Sequence, residues 1–254
     1  MDRWRDDLHP GDILATNHPI AGGTHLPDIT LISPVFDKTN TYIDFFVAAR
    51  AHHAEIGGIA PGSMPSDSVE LYQEGAAFEQ WKIVSKGHFD DAGVTHHFLD
   101  IPGSYPGCSP SRRIHDNIAD LKAQIAANQK GINLIHGLFE EYDRDTVLFY
   151  MRAVKTTAAA AVRDLLRATA KKYAGKMPLT AVDYMDDGSP IALSITIDGE
   201  EGTAVFDFTG TGLEAFNCLN APIAITYSAI LYCLRCLIGT DIPLNEGKIE
   251  TTHM

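Results

Sequence analysis

The sequence predicts an α+β fold in three successive zones, and three observations lead to that prediction. Residues 8–103 carry short runs of apolar residues bounded by Gly, Pro, Asn and Asp, a pattern typical of strands and turns. Residues 111–174 repeat apolar side chains every three or four positions, which is typical of helices. Residues 177–245 return to alternating runs and end in an apolar helix. We therefore expect one α+β domain over residues 1–254.

The first zone is predicted to contain an antiparallel hairpin. Ile13–Thr16 is a first short strand, and Ile29–Phe36 and Tyr42–Ala48 flank the turn residues Asp37–Asn40. A short turn between two apolar runs favours their antiparallel pairing. Because antiparallel neighbours begin and end at the same edge, residues before the first run and after the second are expected to meet.

Two long helices are predicted in the middle zone. We expect Gly131 to interrupt the first and Asp143 or Asp145 to cap the second. One face of the first helix is marked by residues at helical spacing, namely Ile114, Ile118, Leu121, Ile125 and Gln129.

The last zone is predicted to hold a second hairpin and an apolar helix. Ile191–Ile197 and Gly202–Phe208 alternate on either side of an Asp-Gly turn. The helix is expected near Thr226–Leu237 and contains Cys233-x-x-Cys236. Since the flanks are apolar and there is no second such pair, we interpret these cysteines as buried core thiols.

Composition excludes several classes of function. A formal net charge of −13 argues against nucleic-acid binding, which needs a basic surface, and against anionic membrane surfaces. No apolar run reaches the roughly 18 residues of a membrane span, and the first residues lack the apolar core of a signal peptide. Four cysteines in 254 residues do not indicate a disulfide framework. We expect a cytoplasmic protein.

Histidines and carboxylates cluster in the first quarter of the chain. His25 and Asp28, three positions apart, would bring two ligands to one ion, and His52 follows the partner strand. Imidazole and carboxylate groups are ligands that zinc, manganese and iron accept. A single histidine of this kind is more often a hydrogen-bonded or surface residue. On spacing alone, a metal or acid–base site and a structural role are both open.

The order of motifs along the chain resembles the hydantoinase B/oxoprolinase family. Asn17-His18-Pro19, where many hydantoinase B chains carry Asn-Asp-Pro, is similar to the oxoprolinase branch. The matching motifs cover nearly the whole chain: Gly11-Asp12, Asn17–Pro19, Gly22–Asp28, Ala51–Gly58, Gln73–Gly75, Arg113–Asn117, Ala127–Gly131, Met185–Pro190 and Asp207–Gly212.

This resemblance implies a hydrolase that opens 5-oxo-L-proline to L-glutamate within glutathione turnover, coupled to ATP hydrolysis. A lactam resists water because its amide is stabilised by resonance, and phosphorylation of the lactam oxygen gives an imidate that water can attack. The family assigns the ATP step to a hydantoinase A-type, actin-like ATPase half. ATP is therefore expected to be used by that partner half in an oligomer and not bound here, since Gly210-x-Gly212 is too short for a phosphate loop.

The resemblance also implies a divalent metal ion, Zn, Mn or Mg, on this half. His25, Asp28 and His52 match the expected positions, and His52 is preferred to His53 because the family varies at the second position. Such an ion would polarise a carbonyl-type carbon or lower the pKa of a bound water.

Five further residues are candidates for the site. Asp12 or His18 would add a metal ligand. Glu55 is a candidate general base or, alternatively, a turn residue. Arg113 and Asp116 either bind the substrate carboxylate or form a local ion pair.

Other functions stay open at this point. The chain could serve a hydantoin or N-methylhydantoin amidohydrolase, a carboxylase, or an inactive structural subunit. Family members of this half extend well beyond the length of this sequence. We therefore expect it to be a fragment of a longer domain.

Overall fold

The computed structural model describes residues 2–4, 6–62, 64–239, 241–243, 245 and 252–253. Thr240 and Leu244, inside the last predicted zone, lie outside the described residues. The described chain combines antiparallel sheets with long helices, which confirms the α+β class. It divides into two compact units, Met1–Asp143 with Ala215–Ile225, and Arg144–Glu214 with Thr226–Met254.

The long helices α3 and α4 follow the first sheet and precede the second, as predicted, and the extent of a single domain stays a prediction. The strands are β1 (Ile13–Thr16), β2 (Asp28–Phe36), β3 (Ile43–His52), β4 (Trp81–Ser85), β5 (His88–Phe89), β6 (Leu179–Tyr184), β7 (Pro190–Asp198), β8 (Thr203–Asp207) and β9 (Thr252–His253). The helices are α1 (Asp91–Thr95), α2 (Ile101–Ser104), α3 (Ile114–Tyr142), α4 (Arg144–Lys172) and α5 (Ile223–Ile238).

The first unit is built on a five-stranded antiparallel sheet in the order β3-β2-β1-β4-β5. The predicted hairpin is confirmed as β2 and β3, and the backbone N–H groups of Thr41 and Tyr42 donate to the Asp37 carboxylate in its turn. Both strands are longer than predicted. Asp28 and His52 therefore lie within the strands, directly opposite each other.

One face of this sheet forms the core of the unit. Ile29 and Leu31 are fully buried with Leu121 of α3, whereas Asp28 and Thr30 lie on the opposite face. This alternation follows from the two-residue period of a strand. The polar side chains of Asp28 and Thr30, at even-numbered positions of β2, are thus separated from the core.

Helix α3 differs from the sequence prediction in two respects. It continues through Gly131, where a Cβ would approach the Val47 side chain to 3.2 Å, so the glycine permits close packing on β3 and does not break the helix. Its buried face also includes amide side chains, while the predicted face residue Gln129 is exposed. The buried residues of α3 are Asn117, Leu121, Gln124 and Asn128.

The strand-rich zone predicted for residues 8–103 ends earlier than expected. Residues 91–104 form α1, a π-helical turn at His96–Asp100, and α2. Asp90 explains the change, since its carboxylate caps α1 by accepting the Gly93 N–H at 2.8 Å.

The second unit packs two helices on the sheet β6-β7-β8-β9. The predicted hairpin is confirmed by antiparallel pairing of β7 with β8, and β9 pairs parallel with β8. The buried core residues come from α4, β8 and α5: Val162, Leu166, Ala204, Phe206, Ile230 and Leu234.

The two cysteines of α5 are not core thiols, contrary to the prediction. Cys233 and Cys236 are exposed, because α5 buries only the narrow stripe through Ile230 and Leu234. The hydropathy of the segment did not predict which of its residues are buried, since an apolar helix does not have to bury every face. Within the described part of the chain, no helix combines the length and apolarity that crossing a bilayer requires.

Candidate metal centre

The loop between β1 and β2 is fixed by one buried asparagine. The Asn17 amide donates to the carbonyls of Leu26 and Ala76, and it accepts the N–H of Phe78, all at 2.8 Å. Asn17 is fully buried, so each of these bonds satisfies a group that water cannot reach. The bonds tie the residue next to His25 to a second, distant segment of the chain.

A glycine makes this loop possible. A Cβ on Gly23 would lie 1.9 Å from the Asn17 carbonyl oxygen, well inside contact distance. Only glycine can therefore occupy this position without movement of the backbone. Gly23 of the sequence motif therefore has a steric role in placing His25.

Three predicted ligands converge where the β2–β3 hairpin ends. Asp28 and His52 are register partners, and side chains of directly opposite residues share a face of the sheet. His25 reaches the pair from the preceding loop, with its Nδ1 3.6 Å from Asp28 Oδ2. The ring centroids of His25 and His52 are 5.1 Å apart.

The three side chains fit a divalent ion. One ligand atom from each lies within 4.8 Å of the others, a spacing that small movements of side chains can close onto a shared ion. His25 and Asp28 are about one-quarter and one-fifth exposed, and His52 is open to solvent. Two imidazoles and one carboxylate are a donor set of catalytic zinc and related metals, and three protein ligands leave a coordination position open.

His53 faces the opposite side and is held by α3. The amide of Asn117 lies 3.2 Å from His53 Nδ1, and the Gln124 Oε1 lies 3.2 Å from Nε2. Burial lowers the pKa of His53, against the opposing effect of the Gln124 hydrogen bond. A neutral ring with its proton on Nε2 satisfies both contacts. This arrangement anchors the end of β3 and leaves His52 on the cluster's face.

Glu55 is placed in a buried network and does not join the three ligands. Its carboxylate pairs with Arg112 Nη1 at 2.6 Å and accepts the N–H groups of Gly57 and Arg112 and the hydroxyl of Ser111. These four donors occupy both oxygens. The geometry corresponds to the alternative of a turn residue, because Glu55 holds the segments around Gly57 and Ser111 together.

Asp12 and His18 also lie outside the cluster of ligand atoms. Asp12 pairs with Lys82 at 3.0 Å and accepts the N–H of Lys86. Burial raises the pKa of Asp12, but these partners outweigh it and the pKa is lowered. His18 accepts the Ile20 N–H through Nδ1 and so caps a short 3-10 turn.

Arg113 and Asp116 form the local ion pair that was one of the two alternatives. Arg113 Nη2 lies 2.6 Å from Asp116 Oδ2, and both side chains are more than half exposed. Each is thus the nearest partner of the other at the start of α3, and the structure shows no contact of either with the three ligands.

Comparison with known proteins decides the family. A model of the hydantoinase B/oxoprolinase family matches residues 1–254. The chain belongs to the hydantoinase B/oxoprolinase family. It is 52% identical over 247 residues to the 5-oxoprolinase of Saccharomyces cerevisiae, covering 97% of this chain and 19% of that protein. It is 50% identical over 269 residues to 5-oxoprolinase 1 of Arabidopsis thaliana, covering 100% and 21%.

A solved structure shows the same fold. The ATP-dependent caprolactamase from Pseudomonas jessenii superimposes with a TM-score of 0.80 at 21% sequence identity, covering 99% of this chain and 41% of that one. The chain spans about a fifth of the length of the two 5-oxoprolinases above.

Two residues near the three ligands, Glu74 and Arg50, were given no role by sequence reasoning, although Glu74 belongs to a family motif. Glu74 is half-buried, and burial raises its pKa despite a hydrogen bond from Ser68 and the charge of His25. Arg50 lies on β3 two residues before His52, and its Nε donates to Thr30 Oγ1 at 2.8 Å. Strand alternation was the available signal for Arg50, since positions 50 and 52 share a face.

Proposed function

We propose that this chain is the hydrolytic part of an ATP-dependent 5-oxoprolinase, which opens activated 5-oxo-L-proline to L-glutamate. The observation that carries the proposal is the convergence of His25, Asp28 and His52 at one end of the hairpin. Relatives named 5-oxoprolinase at 50–52% identity supply the substrate and the reaction.

The three side chains would hold a divalent ion, Zn, Mn or Mg. When bound, such an ion supplies Lewis acidity and a water of lowered pKa at neutral pH. His25 and His52 offer imidazole nitrogens, and Asp28 offers a carboxylate that favours the cation. The buried contacts of Asn17 and His53 fix the two chain segments that carry these ligands. The ligands are therefore held in place before the ion binds.

The hydrolytic half acts on an activated amide. The resonance of the lactam must be weakened before water attacks, and phosphorylation on oxygen by a hydantoinase A-type, actin-like ATPase half would achieve this. We assign ATP binding to that partner half. The proposal places the reaction in glutathione turnover in the cytoplasm.

A segment exchange tests the proposal. The matching 247-residue segment of the S. cerevisiae 5-oxoprolinase is replaced by this chain, and glutamate release from 5-oxo-L-proline is measured with ATP. We expect ATP-dependent glutamate release from the exchanged enzyme. The same exchange with His52→Ala should lose it by about 100-fold or more, whereas His88→Ala, an exposed histidine on β5, should not.

Two results would contradict the proposal. The first is an exchanged enzyme that folds and hydrolyses ATP but releases no glutamate. The second is turnover of hydantoin in place of 5-oxo-L-proline, which would assign the chain to the amidohydrolases of the family.

A further inference from the structure

We propose that Arg50 binds the carboxylate of the substrate, so that the site selects lactams that carry a carboxylate on the ring. This inference rests on the proposed function and names the residue that gives it specificity. Sequence reasoning considered Arg113 for this task, but Arg113 is engaged with Asp116.

Arg50 is placed on the same face as the three ligands. It lies two positions before His52 on β3 and is the register partner of Thr30, which lies two positions after Asp28 on β2. Residues two apart on a strand are separated by about 7 Å along it and point to the same side. A small ring carrying a carboxylate can span that distance, with its amide at the ligands and its carboxylate at the arginine.

The guanidinium of Arg50 is oriented but not neutralised. Its Nε donates to the Thr30 hydroxyl at 2.8 Å, which fixes the plane of the group and leaves both Nη atoms available. Among the described residues Arg50 has no carboxylate partner. Two parallel N–H donors on a planar group match the two oxygens of a carboxylate, and such charge-assisted pairs are stronger than neutral hydrogen bonds.

Two other basic side chains of the first unit are already paired with acids. Lys82 contacts Asp7 and Asp12, and Arg112 contacts Glu55. The chain has a net charge of −13, yet among the described residues the guanidinium on the face of the ligands is not paired with an acid. Its charge is available to an anion from outside the chain.

The neighbouring strand adds a polar atom without a partner. Thr16 on β1 is the register partner of Thr30, so Thr16, Thr30 and Arg50 form one row across three strands. The Thr16 hydroxyl oxygen is buried and has no hydrogen-bond partner among the described residues. Buried hydroxyls are normally hydrogen-bonded, and an unpaired one in the same row, separated from Arg50 by Thr30, is consistent with a ligand in this row.

Calorimetric titration of the metal-loaded chain tests the inference. The ligands are 5-oxo-L-proline and 2-pyrrolidinone, which has the same ring without the carboxylate. We expect Arg50→Gln to weaken 5-oxo-L-proline binding by about 10- to 100-fold, the range for a hydrogen bond to a charged group. The affinity for 2-pyrrolidinone and the metal content should not change. Arg50→Lys should recover part of the loss, and Arg152→Gln, an exposed arginine on α4, should have no effect.

The outcomes separate this inference from the function on which it rests. Wild-type binding of 5-oxo-L-proline that Arg50→Gln leaves intact would overturn the role of Arg50 alone. An equal loss of both lactams, or loss of the metal, would show a structural role and overturn it as well. A metal-loaded wild-type chain that binds neither lactam would overturn this inference, whereas the proposed function is decided separately by glutamate release from the exchanged enzyme.

Discussion

Asn17 shows how a single side chain can position the candidate metal centre. Its fully buried amide makes three hydrogen bonds to two other segments of the chain. Water cannot replace Asn17 as the hydrogen-bond partner of these groups. The sequence showed Asn17 only as part of a motif. Its structural role depends on Ala76 and Phe78, about sixty positions away, and no local pattern reveals such a contact.

We predict that Asn17→Ala lowers the free energy of unfolding by about 3 kcal/mol, because buried carbonyl and N–H groups lose their partners. Metal affinity should fall as well, since the loop that carries His25 loosens. Urea unfolding with and without metal measures both. Asn133→Ala, at an exposed position of α3, is the control and should change stability by less than about 0.5 kcal/mol. A loss no greater than that of the control would contradict this role of Asn17.

At the scale of elements, the two hairpins were predictable and the face of α3 was only partly so. Turn residues and alternating runs are local signals, and they located β2–β3 and β7–β8 correctly. The helical face was predicted from the spacing of apolar residues, with Gln129 as its one polar member. Gln124 and Asn128 were overlooked because their burial depends on backbone carbonyls of the sheet, to which they donate.

The α3–sheet contact leads to a prediction for a matched pair of glutamines. Gln124 donates to the carbonyls of Ile29 and Ala49 and contacts His53, whereas Gln129 is exposed on the same helix. Gln124→Met keeps the volume but removes these bonds, so we expect a loss of about 2 kcal/mol in stability. Gln129→Met should cost less than about 0.5 kcal/mol. Equal effects of the two substitutions in chemical denaturation would refute the importance of the buried amide.

The turn of the first hairpin leads to a prediction about pH. The Thr39 hydroxyl, followed by the Tyr42 and Thr41 N–H groups, lowers the pKa of Asp37 from 3.8 to about 2. A lowered carboxylate pKa contributes stability above the unfolded value, and that contribution is lost as pH falls from 3.8 through about 2. Asp37→Asn should remove this part of the pH dependence. Urea midpoints between pH 5 and pH 2 that fall identically in both proteins would count against it.

At the scale of the whole molecule, the second unit exposes a large apolar surface. On the strands the exposed side chains include Val182, Tyr184, Ile191 and Val205, and on α5 they include Tyr232 and Leu237. Exposed apolar side chains on one unit favour association when they form patches of several hundred Å². The net charge of −13 opposes it.

We therefore predict that the isolated chain self-associates or binds the dye ANS in spite of its charge. Sedimentation velocity and ANS fluorescence at several protein concentrations provide the measurement. A monomer that melts cooperatively and does not raise ANS fluorescence would contradict this prediction. It would show that the exposed apolar side chains do not drive association.

Metal content is the most direct test of the candidate centre. Elemental analysis of protein purified without chelator should find about one divalent ion per chain, the number one open three-ligand site would hold. His25→Ala should lose the ion, and His88→Ala, which leaves the centre intact, should keep it. A wild-type chain without metal after incubation with Zn²⁺ or Mn²⁺, or a His25→Ala variant that retains the wild-type amount, would contradict the assignment of His25, Asp28 and His52.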